Sequence, residues 1–376
     1  MHHYEKFIER EKFPGTKGNP FDIVLRAAEK LEKIPKVFIL LLLALISLPA
    51  ALGGWEKALV LLTFSLTDYI LLLLLPKFRL SFGPAKPPAL MLAVMRLPFA
   101  LLPFPAFLIF EGIGTTLVLY GFIIEPQRLI ITRQTYQSQH FHPTQKLKLA
   151  HLGDLHMERQ TPREIKILKE LKEWKPDIIL FSGDVLSISC LHDPLALKDA
   201  REFLSQLSAP LGVYCVSGSP AVDLPEILPA IYTGLSVKFL DNEKVAINWQ
   251  GQKLVITGCS CTHNPHYDIE SLNKIYQPGA NTDLSILLYH SPDLSYYADS
   301  VGIDLQFSGH THGGQICLPF YGPIFTGSLF GRYFQHGRMQ MNHLTLYILR
   351  GIGLEGAGAP RVRFLCPPEI CLWEIG

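Results

Sequence analysis

Between Val37 and Ile124 the chain carries four apolar stretches with very few charges, a pattern that leaves little choice but a set of membrane-crossing helices. Val37 to Gly54 and Ala58 to Leu75 are each near the length that crosses a bilayer, and Asp68 is the single charge in the pair. Gly53-Gly54-Trp55-Glu56-Lys57 makes a short turn between them, with a Trp suited to the interface. The third stretch, Pro87 to Phe104, contains Arg96 and Pro98, and the fourth, Ala106 to Ile124, contains Glu111. If the chain reverses at Pro103-Phe104-Pro105, Arg96 and Glu111 lie at nearly equal depth, and charges at that depth are expected to find a partner. The alternative is that Arg96 snorkels to the interface and Glu111 sits in a headgroup-level turn. These stretches lie too far from the N-terminus, and are too many, for a secretory signal.

Orientation follows from the basic residues. Arg26, Lys30, Lys33 and Lys36 precede the first stretch, Lys77, Arg79 and Lys86 lie in the middle loop, and Arg128 and Arg133 follow the fourth. The two opposite turns offer only Lys57. This bias puts the N-terminus, the middle loop and the C-terminal domain in the cytoplasm. Were the third and fourth stretches one span, the C-terminal domain would lie outside. The seven cysteines are odd in number and without CxxC spacing, and several sit in apolar runs such as Val213 to Val216, which fits a reducing compartment. A net charge of +1 offers no basic face for nucleic acid.

The expected organisation is a polar N-terminal segment (1–36), a transmembrane helical domain of about four spans (37–125) and a C-terminal domain (126–376). In the first segment, Asn19-Pro20-Phe21-Asp22 reads as a helix start, Asn as N-cap and Pro at the first helical position. The following Ile23 to Ile34 suits either a helix on the membrane surface or a solvated one. In the C-terminal part, short apolar strands alternate with amphipathic helices, an α/β pattern. Strands are expected at Lys146 to Leu152, Asp177 to Phe181, Leu211 to Val216, Leu254 to Thr257, Ile286 to Tyr289 and Ile303 to Phe307. Thr161-Pro162-Arg163-Glu164 is a capping box opening a helix to about Trp174.

Four of these strands end in metal-ligand residues: Asp154 and His156 after the first, Asp184 in Ser182-Gly183-Asp184, His290 after Leu288-Tyr289, and His310 and His312 in Gly309-His310-Thr311-His312-Gly313-Gly314. Sites in α/β folds form at the carboxyl ends of strands. Mixed imidazole and carboxylate donors suit Mn, Fe or Zn better than Mg or Ca. Any one element alone reads as a turn carboxylate or core histidine. The ordered set points to divalent ions.

The order and spacing resemble the calcineurin-like metallophosphoesterase superfamily, and Gly309 to Gln315 resembles its membrane-associated bacterial branch. Leu346 to Gly351 and Cys366 to Ile370 resemble that branch's closing strands. The resemblance implies two mixed β-sheets packed as a sandwich flanked by helices, over roughly residues 146 to 376. It implies one ion held by Asp154, His156, Asp184 and His312, and another by Asp184, His290 and His310, with Asp184 bridging. A metal-bound hydroxide would then attack phosphorus in line. The family's Gly-Asn-His run is replaced here by Ser217-Gly218-Ser219-Pro220-Ala221-Val222-Asp223. The Asn ligand and the assisting His are both absent, so the second ion is expected to be held more weakly and the general acid is unassigned. Asp223 reads as the cap of an Asp-x-x-Glu box with Glu226 rather than a substitute ligand. His192, His263 and His266 lie in loops that could supply a replacement acid, and each reads first as a surface histidine.

Losing a general acid costs on the order of 10²- to 10⁴-fold when the leaving group needs a proton, and little when it leaves as a stable anion. The break therefore favours phosphoanhydrides over ordinary phosphodiesters. Some membrane-associated relatives cleave UDP-2,3-diacylglucosamine, so the resemblance implies a phosphate-containing, lipid-linked substrate. The competing reading is a catalytically silent, metal-binding membrane scaffold or sensor.

Overall fold

The computed structural model describes residues 3–7, 13–277 and 282–376. The first helix, α1 (Pro20–Glu29), starts as expected: the Asn19 side chain accepts from the Asp22 amide at 2.9 Å. Next come α2 (Lys36–Ser47), α3 (Trp55–Leu74), α4 (Lys86–Arg96) and α5 (Phe104–Leu119). Among the described residues three helical segments are long and apolar enough to cross a membrane: Lys36–Gly53, Trp55–Leu74 and Phe104–Gln127. The third expected stretch, Pro87 to Phe104, is shorter. Pro98 lacks the N–H an α-helix needs there, so α4 ends at Arg96 and continues only as a 3₁₀ turn over Leu97–Leu101.

The four helices run back and forth. At one end Lys57 donates to the carbonyls of Ala100 and Leu102 (2.9 and 2.7 Å), tying the two far turns together. At the other, Lys86 donates to the carbonyls of Glu32 and Ile34. Arg96 and Glu111 meet at 2.8 Å, as their spacing suggests, and Asp68 joins them with a two-pronged bond to the same guanidinium (2.7 and 2.9 Å). All three are buried.

The remainder forms two six-stranded mixed sheets. In chain order the strands are β1 (Ile130–Tyr136), β2 (Leu147–Leu152), β3 (Ile178–Phe181), β4 (Val213–Cys215), β5 (Val237–Phe239), β6 (Glu243–Trp249), β7 (Gln252–Cys259), β8 (Leu284–Tyr289), β9 (Leu305–Ser308), β10 (Cys317–Leu318), β11 (Gly322–Pro323), β12 (Gly337–Gln340), β13 (Thr345–Ile348) and β14 (Glu369–Ile375). One sheet has the order β1-β14-β2-β3-β4-β5 and the other β12-β13-β9-β8-β7-β6, while β10 and β11 form a small hairpin. Within β2 and β3, Leu147, Leu149, Ile178 and Leu180 face the opposite sheet, whereas Ala150, Leu152, Ile179 and Phe181 face helices. This is the two-residue period of a strand buried on both faces. The helix α6 (Pro162–Trp174), opened by the expected capping box, covers the first sheet with α7 (Pro194–Ser205) and α8 (Leu228–Tyr232). On the second lie α9 (Pro265–Ile275) and α10 (Ser295–Ser300).

The N-terminal segment is bound to this sandwich. The Gly15 carbonyl accepts from the Ala221 amide and the Leu25 carbonyl from the Gly358 amide, both at 3.0 Å. Tyr4 and Phe7 are buried in the apolar cluster outside the second sheet.

Candidate metal centre

The parallel strands β2 and β3 of one sheet and β8 and β9 of the other end at one edge of the sandwich. The β2–β3 ladder runs on past the strands: the amides of Asp154 and His156 donate to the carbonyls of Gly183 and Asp184 at 2.9 and 3.1 Å. Asp154, His156, Asp184, His310 and His312 all adopt left-handed backbone, with φ from 42° to 70°. Each such residue costs about 1–2 kcal/mol, and the turn it makes sends the side chain inward rather than along the strand. Glycine opens the space they need. A Cβ on Gly309 would lie 2.3 Å from Asp154 Oδ2, and one on Gly218 would lie 2.0 Å from Asp184 Oδ1.

All six expected side chains converge, and all are buried. Asp154, His156 and His312 form one cluster, with the Nε2 atoms of the two imidazoles 2.9 Å apart. His290 and His310 form another. Asp184 lies between, its Oδ2 3.5 Å from His156 Nε2 and 3.3 Å from His290 Nε2. Its Oδ1 accepts from the Ser219 amide at 2.7 Å. Ring nitrogens facing away from the cluster are anchored on backbone. His290 Nδ1 lies 2.7 Å from the Ser182 carbonyl and His310 Nε2 2.9 Å from that of Gly327. A carbonyl accepts only from N–H, so the opposite nitrogens, His290 Nε2 and His310 Nδ1, are the ones left to bind an ion.

Residues 147–314 match the calcineurin-like phosphoesterase family. The chain belongs to the calcineurin-like metallophosphoesterase superfamily. It is 29% identical over 268 residues to the uncharacterized metallophosphoesterase YkuE of Bacillus subtilis, covering 68% of this chain and 88% of that one. It is 24% identical over 311 residues to the UDP-2,3-diacylglucosamine pyrophosphatase LpxG of Chlamydia trachomatis, covering 66% of this chain and 90% of that one. The Chlamydia muridarum LpxG is 25% identical over 314 residues, with the same coverage. This metallophosphoesterase is accordingly a hydrolase.

The family uses divalent metal ions, and the donors here fit them. Burial, and then the neighbouring His290, push the His310 imidazole down to about 3. Burial, and then His156, hold His312 well below its ordinary value. These rings are neutral and present lone pairs. Burial also opposes charge on His290, but the Asp184 and Asp154 carboxylates outweigh it and raise His290 to about 9. Asp184 itself is held below the usual carboxylate range against its burial, chiefly by His290. Burial raises Asp154 to about 6, with His290 pulling the other way. The His290 imidazole is thus set against the Asp184 carboxylate.

Three residues depart from the sequence reading. Asp223 is not a helix cap: α8 begins only at Leu228, and the buried carboxylate turns inward. It accepts from the amides of Asp184 (2.9 Å), Gly218 (2.7 Å) and Val185 (3.3 Å). Three amide donors on one acceptor outweigh a single local capping bond. His263 is not a surface histidine but is buried beside His290 and His310. Glu355, which no motif marks, brings its Oε2 within 3.5 Å of His156 Nε2 and 3.8 Å of His312 Nε2. His192 is exposed and His266 half-buried on α9.

A cleft of about 100 Å³ opens over the cluster. Its walls include Ser219, His310, His312 and Glu355 on one side and Gly15, Phe21 and Phe325 on the other. Phe21 of α1 stacks on Phe325, next to the β10–β11 hairpin, with ring centroids 5.4 Å apart. No Lys or Arg is among the described residues lining it.

Proposed function

We propose that this protein is a membrane-anchored pyrophosphohydrolase that cleaves a phosphoanhydride, and more slowly a phosphodiester, in a lipid-linked substrate. The observation that carries the reading is Asp184 set between two imidazole clusters, beside a Ser219-Pro220 corner that has no proton donor suited to an alkoxide leaving group. Asp154, His156, Asp184 and His312 would hold one divalent ion, and Asp184, His290 and His310 a second. Bound there, the ions supply Lewis acidity toward the phosphoryl oxygens and an activated water. Ser182 and Gly327 fix the tautomers of His290 and His310 through their carbonyls. The Asp223 carboxylate holds the loops that carry Asp184 and Ser219. With no Lys or Arg lining the cleft, the ions would provide most of the compensation for phosphate charge.

The lipid part rests on the apolar Phe21–Phe325 rim, on α1 lining the cleft and preceding the apolar helices in the chain, and on the similarity to LpxG. The anchor reading rests on chain connectivity. Both the N-terminal segment and the loop before α4 bond to the region that follows α5: Ala221 to Gly15, and Gln127 to the Leu80 carbonyl at 2.9 Å. An even number of passes returns the chain to that side, so the short α4 with its 3₁₀ turn supplies the remaining pass, the third in chain order. The basic flanks put that side in the cytoplasm.

The test compares a diphosphate-linked diacyl lipid with an alkyl phosphodiester of the same lipid, using purified full-length protein loaded with Mn²⁺ or Zn²⁺. The anhydride should be cleaved on the order of 10²-fold faster or more. Equal rates would show that another group supplies the proton. No cleavage of either with ions bound would leave the silent scaffold.

A further inference from the structure

We infer that His263 is the fourth protein donor of the second ion site, replacing from the opposite sheet the Asn that the family's Gly-Asn-His run would supply. This rests on the two-ion reading above. His263 follows β7 in the second sheet, whereas Ser219 follows β4 in the first. Its backbone is left-handed (φ 57°), like five of the six expected ligands. Its ring lies 4.2 Å from that of His310 and 6.1 Å from that of His290.

The decisive geometry surrounds the Ser219 hydroxyl. Four atoms converge on its Oγ at nearly one distance: His290 Nε2 at 3.1 Å, His263 Nε2 at 3.2 Å, His310 Nδ1 at 3.3 Å and Asp184 Oδ2 at 3.3 Å. One hydroxyl has a single proton to donate. His290 and His310 each give one N–H to a backbone carbonyl, so the inward nitrogens and the carboxylate converge on one point, where a single proton on His290 serves only its pair with Asp184. A hydroxyl cannot satisfy this set, and a divalent cation can. His263 is oriented like the others from its far side: Nδ1 lies 3.5 Å from Cys261 Sγ, whose thiol donates to the Tyr289 hydroxyl, which in turn donates to Asp268. That chain leaves Nε2 facing the cluster.

Ser at position 219 is what makes the exchange possible. A smaller side chain than Asn frees the corner into which the imidazole of the facing sheet projects. A Cβ at Gly15 would come within 2.7 Å of His263 Nε2 and 3.1 Å of Ser219 Oγ, so the N-terminal segment closes over this corner. One carboxylate with three imidazoles also favours Zn, Fe or Mn over Mg more strongly than a set containing an amide oxygen does. On this assignment the second site is restored with altered chemistry, and its ion is held more tightly than the missing Asn alone implies.

The test is metal content after dialysis, with Zn²⁺ titration calorimetry, on full-length protein in detergent. Wild type should retain two ions. His263→Ala and His263→Gln should retain the first and bind the second on the order of 100-fold more weakly or worse. Adding Ser219→Asn to His263→Ala should recover part of that affinity. Two ions held with unchanged affinity in both single variants would overturn the assignment. So would loss of both ions from both, because no hydrogen bond joins His263 to Asp154, His156 or His312. Wild type holding fewer than two ions would fail before any substitution is made and would overturn the two-ion reading together with this one.

Discussion

Asp223 offers the sharpest test of how the centre is positioned. Its carboxylate is 3% exposed and accepts three amides, from Asp184 and Gly218 on Oδ2 and from Val185 on Oδ1. Two of those amides belong to the loops carrying the bridging carboxylate and Ser219, so one side chain sets their separation. In Asp223→Asn the remaining carbonyl oxygen serves Asp184 and Gly218, but the new NH₂ faces the Val185 N–H, donor against donor. Hydrogen bonds to a charged acceptor contribute roughly 1.5–3 kcal/mol each, so weakening two and losing one should cost about 2–4 kcal/mol. Asp223→Ala leaves all three amides without this partner and should cost about 3–9 kcal/mol at roughly 1–3 kcal/mol per unsatisfied group. In a domain of this size each kcal/mol lowers the melting temperature by roughly 2–4 °C. Hydrolysis should fall about 10- to 100-fold, as for other residues that orient metal ligands. Thermal melting in detergent, alongside hydrolysis with both ions in excess, measures the two effects separately. If Asp223→Ala melts within about 2 °C of wild type and keeps full activity, the carboxylate does not position these loops and the account fails.

Asp184→Asn should abolish hydrolysis and release ions from both clusters, whereas Ser219→Ala should leave the donors in place and cost far less. If Ser219→Ala proved the more damaging change by activity and metal content, the hydroxyl would have a direct role and Asp184 would not be the shared donor. In the apolar helices, Arg96→Gln strands two buried carboxylates, Asp68 and Glu111, and should destabilise the protein by about 3–5 kcal/mol. Glu111→Gln should cost clearly less, because the two-pronged Asp68 bond survives. Equal loss of yield and detergent melting temperature in the two variants would refute that ranking.

What could be read in the sequence is what depends on near neighbours. Asp154 with His156, Gly183 with Asp184, and His310 with His312 each combine a buried strand with a turn a few residues on, and a strand end fixes where such a turn points. The Thr161 capping box and the Asn19 cap are likewise local bonds. Arg96 and Glu111 could be paired because they are spaced almost evenly about one reversal. Asp68 joins them across 28 residues from another helix, which no local period encodes. The strand β1 was missed for a similar reason: its half-buried, polar residues give little alternation, and its partner β14 is at the far end of the chain. Asp223 misled because Asp-x-x-Glu is a true local signal, here outweighed by three amides brought up from other loops.

His263 is the instructive case. A motif search asks whether a residue type stands at its customary position, and at Ser219-Pro220 the answer is negative, which reads as a lost ligand. An ion is indifferent to which strand supplies its donors and responds only to their number, chemistry and position. In a sandwich whose two sheets end at one edge, a donor lost from the first sheet can be replaced from the second, 44 residues later in the chain. The replacement leaves no mark at the motif, and its position, the single His263 in a loop, resembles any surface histidine until the facing sheet is in place. The same convergence explains why His192 and His266, equally plausible in sequence, take no part. One follows β3 on the outer side of its sheet and is exposed, and the other is carried away from the edge by α9.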